Sequence, residues 1–567
     1  MNREDLKRRL DAAAGRQKAD LVLHGAHILN VFTGRWVQTS LAVADGIIVG
    51  LGDYQGAEEV DLTGKYLVPG FIDAHLHLES TLVTPPQLVG EVLPWGTTTL
   101  VADPHELANV SGLPGIHYLL DQAQALPCNL YVMLPSCVPS TPFEDAGAVL
   151  EAADLAPLRG HPQVLGLGEM MNSPGVVSGS DDVLDKLLAF GDGPMDGHAP
   201  LLSGQALQAY RTAGILTDHE CSDSAEVLEK LEAGFCILAR EGSAAKNLTT
   251  LMQTALAHKL PFSRFAFCTD DKHIEDIRSR GHIRENIRIA IALGVPVAEA
   301  YRMASFYSAQ IFGLRHLGAL AAGYQADLVV LDDPREVTVQ AVYHKGRLAA
   351  AGTAPLRLDG PAPPPQLLDT IRAAPLTKAA LRIPCDGKPQ PVIRLVPHQI
   401  VTQRVEAVLP CREGVFVPDR RYAKAAVLER HHASGQLGLG VVEGMALHGA
   451  LASTVAHDSH NLLVLGDNDE DMLLAVRELV AQGGGYIQVQ EGRVLGRLPL
   501  PICGLVTGQD IETVQRTLRE MTATARQMGV PDCYDPFITM SFLSLPVIPQ
   551  LRLTDRGLFD VTKMEFV

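Results

Sequence analysis

Phe71-Ile72-Asp73-Ala74-His75-Leu76-His77-Leu78-Glu79 is the stretch from which the rest of this 567-residue chain is read. Strand side chains alternate faces, so Phe71, Asp73, His75, His77 and Glu79 share one side and Ile72, Ala74, Leu76 and Leu78 the other. The apolar side suits packing against helices. The other side carries two imidazoles two residues apart, a spacing that can grip one cation, and a closed barrel points that face inward. H-x-H triplets also occur without function. Val68-Pro69-Gly70 ahead of the run, and the carboxylates on the same face, favour the metal.

Working outward, short apolar runs alternate with helical stretches from about Leu67 to Leu314. The expected strands are Phe71–His77, Thr97–Ala102, Leu130–Leu134, Val164–Glu169, one ending at His198, Ile215–His219, Phe235–Arg240 and Phe265–Asp270. Eight β/α units are what a (β/α)8 barrel needs. The fifth strand, among Gly191, Gly193 and Pro194, is placed by count rather than by pattern. On both flanks the texture is β: residues 20 to 65 with an Asp45-Gly46 hairpin signal, and Gly323 to Arg347. The fold expected is therefore α/β, a barrel over residues 67–314. A composite small β-sandwich comes from residues 1–66 plus 315–355. After a Pro-rich linker at 356–380, residues 381–567 form a C-terminal α+β domain.

Composition narrows the function classes. Hydrophobic residues at 47% and charged residues at 20% describe a folded protein, and 47 Lys+Arg against 65 Asp+Glu give a net charge of −18. Such a surface repels phosphate backbones and anionic lipid, so neither a nucleic-acid nor a membrane partner is expected. No run is apolar enough to span a bilayer. The nine cysteines are scattered and never form C-x-x-C, which suits a reducing cytoplasm rather than a disulfide framework.

Other strand ends supply further ligands: Glu169 after Val164-Leu-Gly-Leu-Gly, His198 in Gly197-His-Ala-Pro, His219 in Asp218-His-Glu, and Asp270 after Phe267-Cys-Thr. Each lies on the C-terminal rim, where barrel enzymes assemble their sites. Singly, His198 and His219 read equally well as loop residues and Asp270 as a helix cap; together they are a constellation. With His75 and His77 the set exceeds the three protein ligands of one catalytic zinc, so two divalent ions are expected, with Glu169 as the candidate bridge. Imidazole-plus-carboxylate sites suit manganese, iron or zinc, and the residues do not choose among them.

A family resemblance follows. Val68-Pro-Gly-Phe-Ile-Asp-Ala-His-Leu-His77 and Gly323-x-x-Ala-Asp-Leu-Val-Val-Leu look like the amidohydrolase superfamily. Asp103-Pro-His-Glu106, Gly168-Glu-Met-Met171, Asp196-Gly-His-Ala-Pro200, Cys268-Thr-Asp-Asp271, Val455-Ala-His-Asp-Ser-His-Asn461, Asp535 to Pro549 and Leu553 to Asp560 resemble the bacterial adenine deaminases over nearly the whole chain. The resemblance implies His75, His77, His198, His219 and Asp270 as metal ligands. It puts Glu169 where many two-metal relatives carry a carboxylated lysine. It also implies a purine-salvage hydrolase that converts adenine to hypoxanthine and ammonia through a metal-bridged hydroxide attacking C6. Asp270 is then the base that passes the proton to the amine, and Glu169 bridges the ions, protonates N1, or both. A dihydropyrimidinase- or hydantoinase-like hydrolase and a non-catalytic purine-binding barrel remain the alternatives. A homo-oligomer, dimer or tetramer, is expected.

Several residues carry two readings. Glu79 and Ser80 either orient a ligand from behind or only follow the strand. His105 and Glu106 either touch the purine or a ligand or stay structural, with Asp103 as a cap. Arg240, Glu241 and Ser243 either line the substrate pocket or form a salt-bridged loop. Asp218 and Glu220 point away from His219 by alternation, which favours structural roles. His457 and His460 fit a domain interface better than a pocket.

Overall fold

A computed structural model describes residues 2–243, 245–397 and 399–567. Eight parallel strands organise its middle: β1 (Phe71–Leu76), β2 (Thr97–Ala102), β3 (Asn129–Leu134), β4 (Val164–Met170), β5 (Met195–Gly197), β6 (Thr217–Asp218), β7 (Cys236–Arg240) and β8 (Phe265–Cys268). β1 to β5 form one arc and β6 to β8 a second, each pairing in sequence order. Backbone bonds stitch the two seams. Asp270 N–H donates to the His75 carbonyl at 3.0 Å, and Leu216 N–H to the Met195 carbonyl at 3.1 Å. The result is a (β/α)8 barrel. Every residue of β1 is buried. Its first residues face opposite to the expectation: Ile72 and Ala74 cluster with Val101, Met133, Leu238 and Ala266 of other strands, while Phe71 packs on Tyr301 and Asp73 lies 3.0 Å from His282, both from the helical layer. A register irregularity between Asp73 and Leu76 breaks the simple alternation before the histidines.

Strands from both flanks of the barrel segment join in one eight-stranded sheet. The junction is antiparallel, with Val68 of Tyr66–Pro69 opposite Val329 of Leu328–Leu331. The last residue before β1 is thus held by a strand more than two hundred residues away, which fixes where the H-x-H strand enters the barrel. The chain then crosses the barrel surface as an irregular strap. Leu356 N–H donates to the Gly90 carbonyl, Gln122 Nε2 to the Pro361 carbonyl, and Cys503 N–H to the Leu367 carbonyl. Proline at 361 and 363–365 removes donors a sheet would need, so the strap bonds through its carbonyls and remaining amides.

The C-terminal region is a second eight-stranded sheet from Pro389–Leu395 to Arg493–Pro499, with helices Asp469–Ala481 and Ile511–Met528 and a small sheet starting at Leu551–Thr554. Its Val455, Tyr486 and Phe537 belong to the same apolar core as Leu82 and Leu107 of the barrel, so it packs on the rim rather than hanging from it. Arg552 fixes the part above the lumen. Fully buried, it donates to the carbonyls of Phe542 (2.6 Å), Ile548 (2.7 Å), Ile400 (2.8 Å) and Pro549 (3.1 Å). No helix among the described residues is long and apolar enough to cross a membrane.

Candidate metal centre

The site begins with which ring nitrogen of each histidine carries its proton. His77 Nδ1 lies 3.1 Å from the Asp103 carbonyl, which can only accept, so Nδ1 carries a proton and, in the neutral ring, Nε2 is the lone pair. His75 Nδ1 lies 2.7 Å from Asp196 Oδ2, with the same consequence. The two Nε2 atoms then face each other at 3.1 Å, lone pair against lone pair, an arrangement that a cation between them relieves.

Across the lumen, His198 Nε2 and His219 Nδ1 meet no hydrogen-bond partner among the described residues. Buried nitrogens without partners are costly unless something else fills the role. Glu169 stands between the two pairs. Its Oε1 is 3.2 Å from His77 Nε2, while its Oε2 is 3.0 Å from His198 Nδ1 and 3.2 Å from His219 Nε2. Burial alone would raise the Glu169 carboxyl; the surrounding His198, His219 and His77 hold it well below the usual carboxylate range. Asp270 closes the near side, with Oδ1 3.1 Å from His77 Nε2 and 3.5 Å from His75 Nε2. The donor groups His75–His77–Glu169, His75–His219–Asp270 and Glu169–His198–His219 are each compact and wholly buried, so the residues fit a shared cation centre.

Above this centre is a small cavity of about 30 Å³. His77, His105, Glu169, His198, His219 and Asp270 line its floor; Ile400, Phe542, Leu545 and Ile548 of the C-terminal region roof it, beside His457 and Asp458. A sequence model of the Amidohydrolase family matches residues 66–349, and one of the Adenine deaminase C-terminal domain matches residues 399–565. Adenine deaminase of Desulfitobacterium hafniense strain Y51 is 47% identical over 568 residues, covering 100% of this chain and 99% of that protein. Adenine deaminase 2 of Carboxydothermus hydrogenoformans is 44% identical over 99% of both. Adenine deaminase of Bacillus subtilis strain 168 is 42% identical over 100% of both. The chain belongs to the adenine deaminase family.

In this adenine deaminase-family chain the six residues expected from the strand ends, His75, His77, Glu169, His198, His219 and Asp270, come together in overlapping donor groups, and all but His75 line the cavity. Supporting residues were less legible. Asp103, expected as a cap, accepts from Glu169 N–H at 2.9 Å and through its carbonyl orients His77. Gly168 makes room for it, because a Cβ there would fall 2.2 Å from Asp103 Oδ2. Asp196 had no assigned role and proves to be the partner of His75. Glu220, expected to point away from His219, reaches the pocket 3.6 Å from His219 Nε2, because β6 ends at Asp218 and strict alternation ends with it. Asp218 is structural as expected, buried against Lys230 at 3.0 Å.

Arg240 lies in the pocket wall as part of a buried ion network. Its Nη1 contacts Glu220 and lies 2.5 Å from Asp270 Oδ2, which leaves Oδ1 of Asp270 toward the imidazoles. His105 packs edge-on to His77, with Nδ1 3.5 Å from Glu169 Oε1. Glu106 turns to the C-terminal region, where His457 Nδ1 and His460 Nε2 both contact its carboxylate. Glu79 accepts from Leu107 N–H at 3.0 Å instead of orienting a ligand imidazole; burial, reinforced by Glu106, pushes its carboxyl up to about 7. Ser243 accepts from His273 N–H and donates to Asp276 at 2.5 Å, which places it at a helix start outside this pocket.

Proposed function

We propose that this chain catalyses hydrolytic deamination of adenine to hypoxanthine and ammonia. The observation that carries the proposal is the placing of Glu169, one oxygen toward His77 and the other toward His198 and His219. His75, His77 and Asp270 would hold one divalent ion and His198 and His219 a second, with Glu169 shared. Manganese is the first candidate, and iron or zinc are alternates. When bound, such ions lower the pKa of water from about 15.7 to near 7 and so supply a nucleophile for C6 at neutral pH.

The chain's own residues do the rest. Asp270, with Oδ2 tied to Arg240, offers Oδ1 as the base that collects a proton from water and delivers it to the departing amine. Glu169 would serve N1 of the ring, a role with precedent for a glutamate among unrelated nucleobase deaminases. The roof of Ile400, Phe542, Leu545 and Ile548 excludes bulk water from a flat base.

Ammonia release from adenine, and none from adenosine or dihydropyrimidines, tests the proposal. Release from a pyrimidine amide ring but not from adenine would replace it with a cyclic-amide hydrolase. A dimer or tetramer and a cytoplasmic setting belong to the same reading, the latter supported by nine cysteines that are all unpaired.

A further inference from the structure

One polar atom in the roof has no partner. Asp458 lines the pocket, is 2% exposed, and its Oδ2 meets no hydrogen-bond donor among the described residues. Its Oδ1 lies 3.8 Å from His105 Nε2, while Nδ1 of the same ring lies 3.5 Å from Glu169 Oε1. Asp458 and Glu169 thus stand at opposite ends of one imidazole, and a flat base lying along that ring meets a carboxylate at each end. A buried carboxylate oxygen with no donor is costly, which marks it as a place where a ligand donor belongs.

We propose that Asp458 accepts the imidazole-ring N–H of the bound base and thereby selects the free purine over its N9-substituted nucleoside. The inference rests on the adenine proposal above. Adenine has two kinds of donor, the exocyclic amine and a single ring N–H. The amine belongs at Asp270 and N1 at Glu169 if C6 is to react. That orientation turns the ring N–H toward the opposite wall, where Asp458 is the unsatisfied acceptor. Substitution at N9 leaves a neutral purine with no ring N–H, and it drives the substituent against Asp458, Leu545 and Ile548. A site built to bond a substrate N–H rejects the analogue lacking it far more strongly than an apolar pocket rejects an added methylene.

The test is ammonia release from adenine and from 9-methyladenine by wild type, Asp458→Asn and Asp458→Ala, with metal content measured alongside. Wild type should prefer adenine by on the order of 10⁴-fold. Both variants should keep their metal and lose about 10–100-fold in kcat/KM for adenine. The loss should fall mainly on KM, because Asp458 touches no reacting atom. In Asp458→Ala the preference for adenine over 9-methyladenine should shrink. Variants with an unchanged kcat/KM and an unchanged preference overturn the inference. So does a wild type that deaminates 9-methyladenine as fast as adenine, a measurement that needs no variant. A wild type inert on adenine itself sinks the adenine proposal, and this inference with it.

Discussion

His75 and His77 face Glu169 inside the barrel, and His457 and His460 face Glu106 across the seam with the C-terminal region. Both trios are buried and compact enough to hold an ion. The far nitrogens separate them. In the first pair Nδ1 donates, to Asp196 and to the Asp103 carbonyl, so Nε2 is left as a lone pair. In the second, His460 Nδ1 accepts from Ala456 N–H at 3.1 Å, so Nε2 carries the proton and donates it to Glu106. The same side chains give a cation grip in one place and a hydrogen-bonded clamp in the other. A metal site is therefore recognised by what stands behind the imidazoles, not by their number.

The largest test of this contrast is Glu169→Gln. It removes the anion between the imidazole pairs, and ammonia release should fall by on the order of 10²–10⁴-fold. Elemental analysis of wild type should find about two ions per chain; a single tight ion at full activity would contradict a shared glutamate. Glu106→Gln should act on the other quality. A glutamine amide cannot accept from both histidines, so the fold should lose about 3–5 kcal/mol in thermal or denaturant unfolding while metal content stays at wild-type level. Metal lost along with stability would make the clamp an ion site after all. Asp196→Asn frees His75 to adopt the wrong tautomer, and metal affinity should drop about 10–100-fold, read by competition with a chelator.

The smallest effect lies further along the seam. Burial, with Asp145 alongside, pushes the Asp555 carboxyl from 3.8 up to about 7. A raised folded pKa means its contribution is whole below pH 3.8 and is lost as pH rises to about 7. The melting temperature of Asp555→Asn should therefore gain on wild type across that window and hold level above it. A difference independent of pH would show that Asp555 is ionised throughout.

Much of the fold could be read from the chain because β1 to β4, β7 and β8 are apolar runs that end in a polar residue. β5 and β6, 3 and 2 residues long, carry the least pattern, and only the count of eight located β5. The ligands were legible because each sits at or just beyond a strand end, where a polar residue interrupts an apolar run. Glu220 was misread because alternation was carried past the end of its strand. Asp196 and Asp103 were missed because a carboxylate or carbonyl behind a ligand leaves no local signature. Glu106 and Asp458 depend on contacts spanning hundreds of residues, which no local pattern records.

Floor and roof of the pocket come from opposite halves of the polypeptide, and Arg552 anchors the roof to its own backbone rather than to the floor. Reactivity and choice of substrate are therefore separately inherited. Exchanges at Ile400, Leu545 or Ile548 can retune which heterocycle enters while the histidines below keep their grip. Laboratory selection for new bases has its freest ground in that upper half.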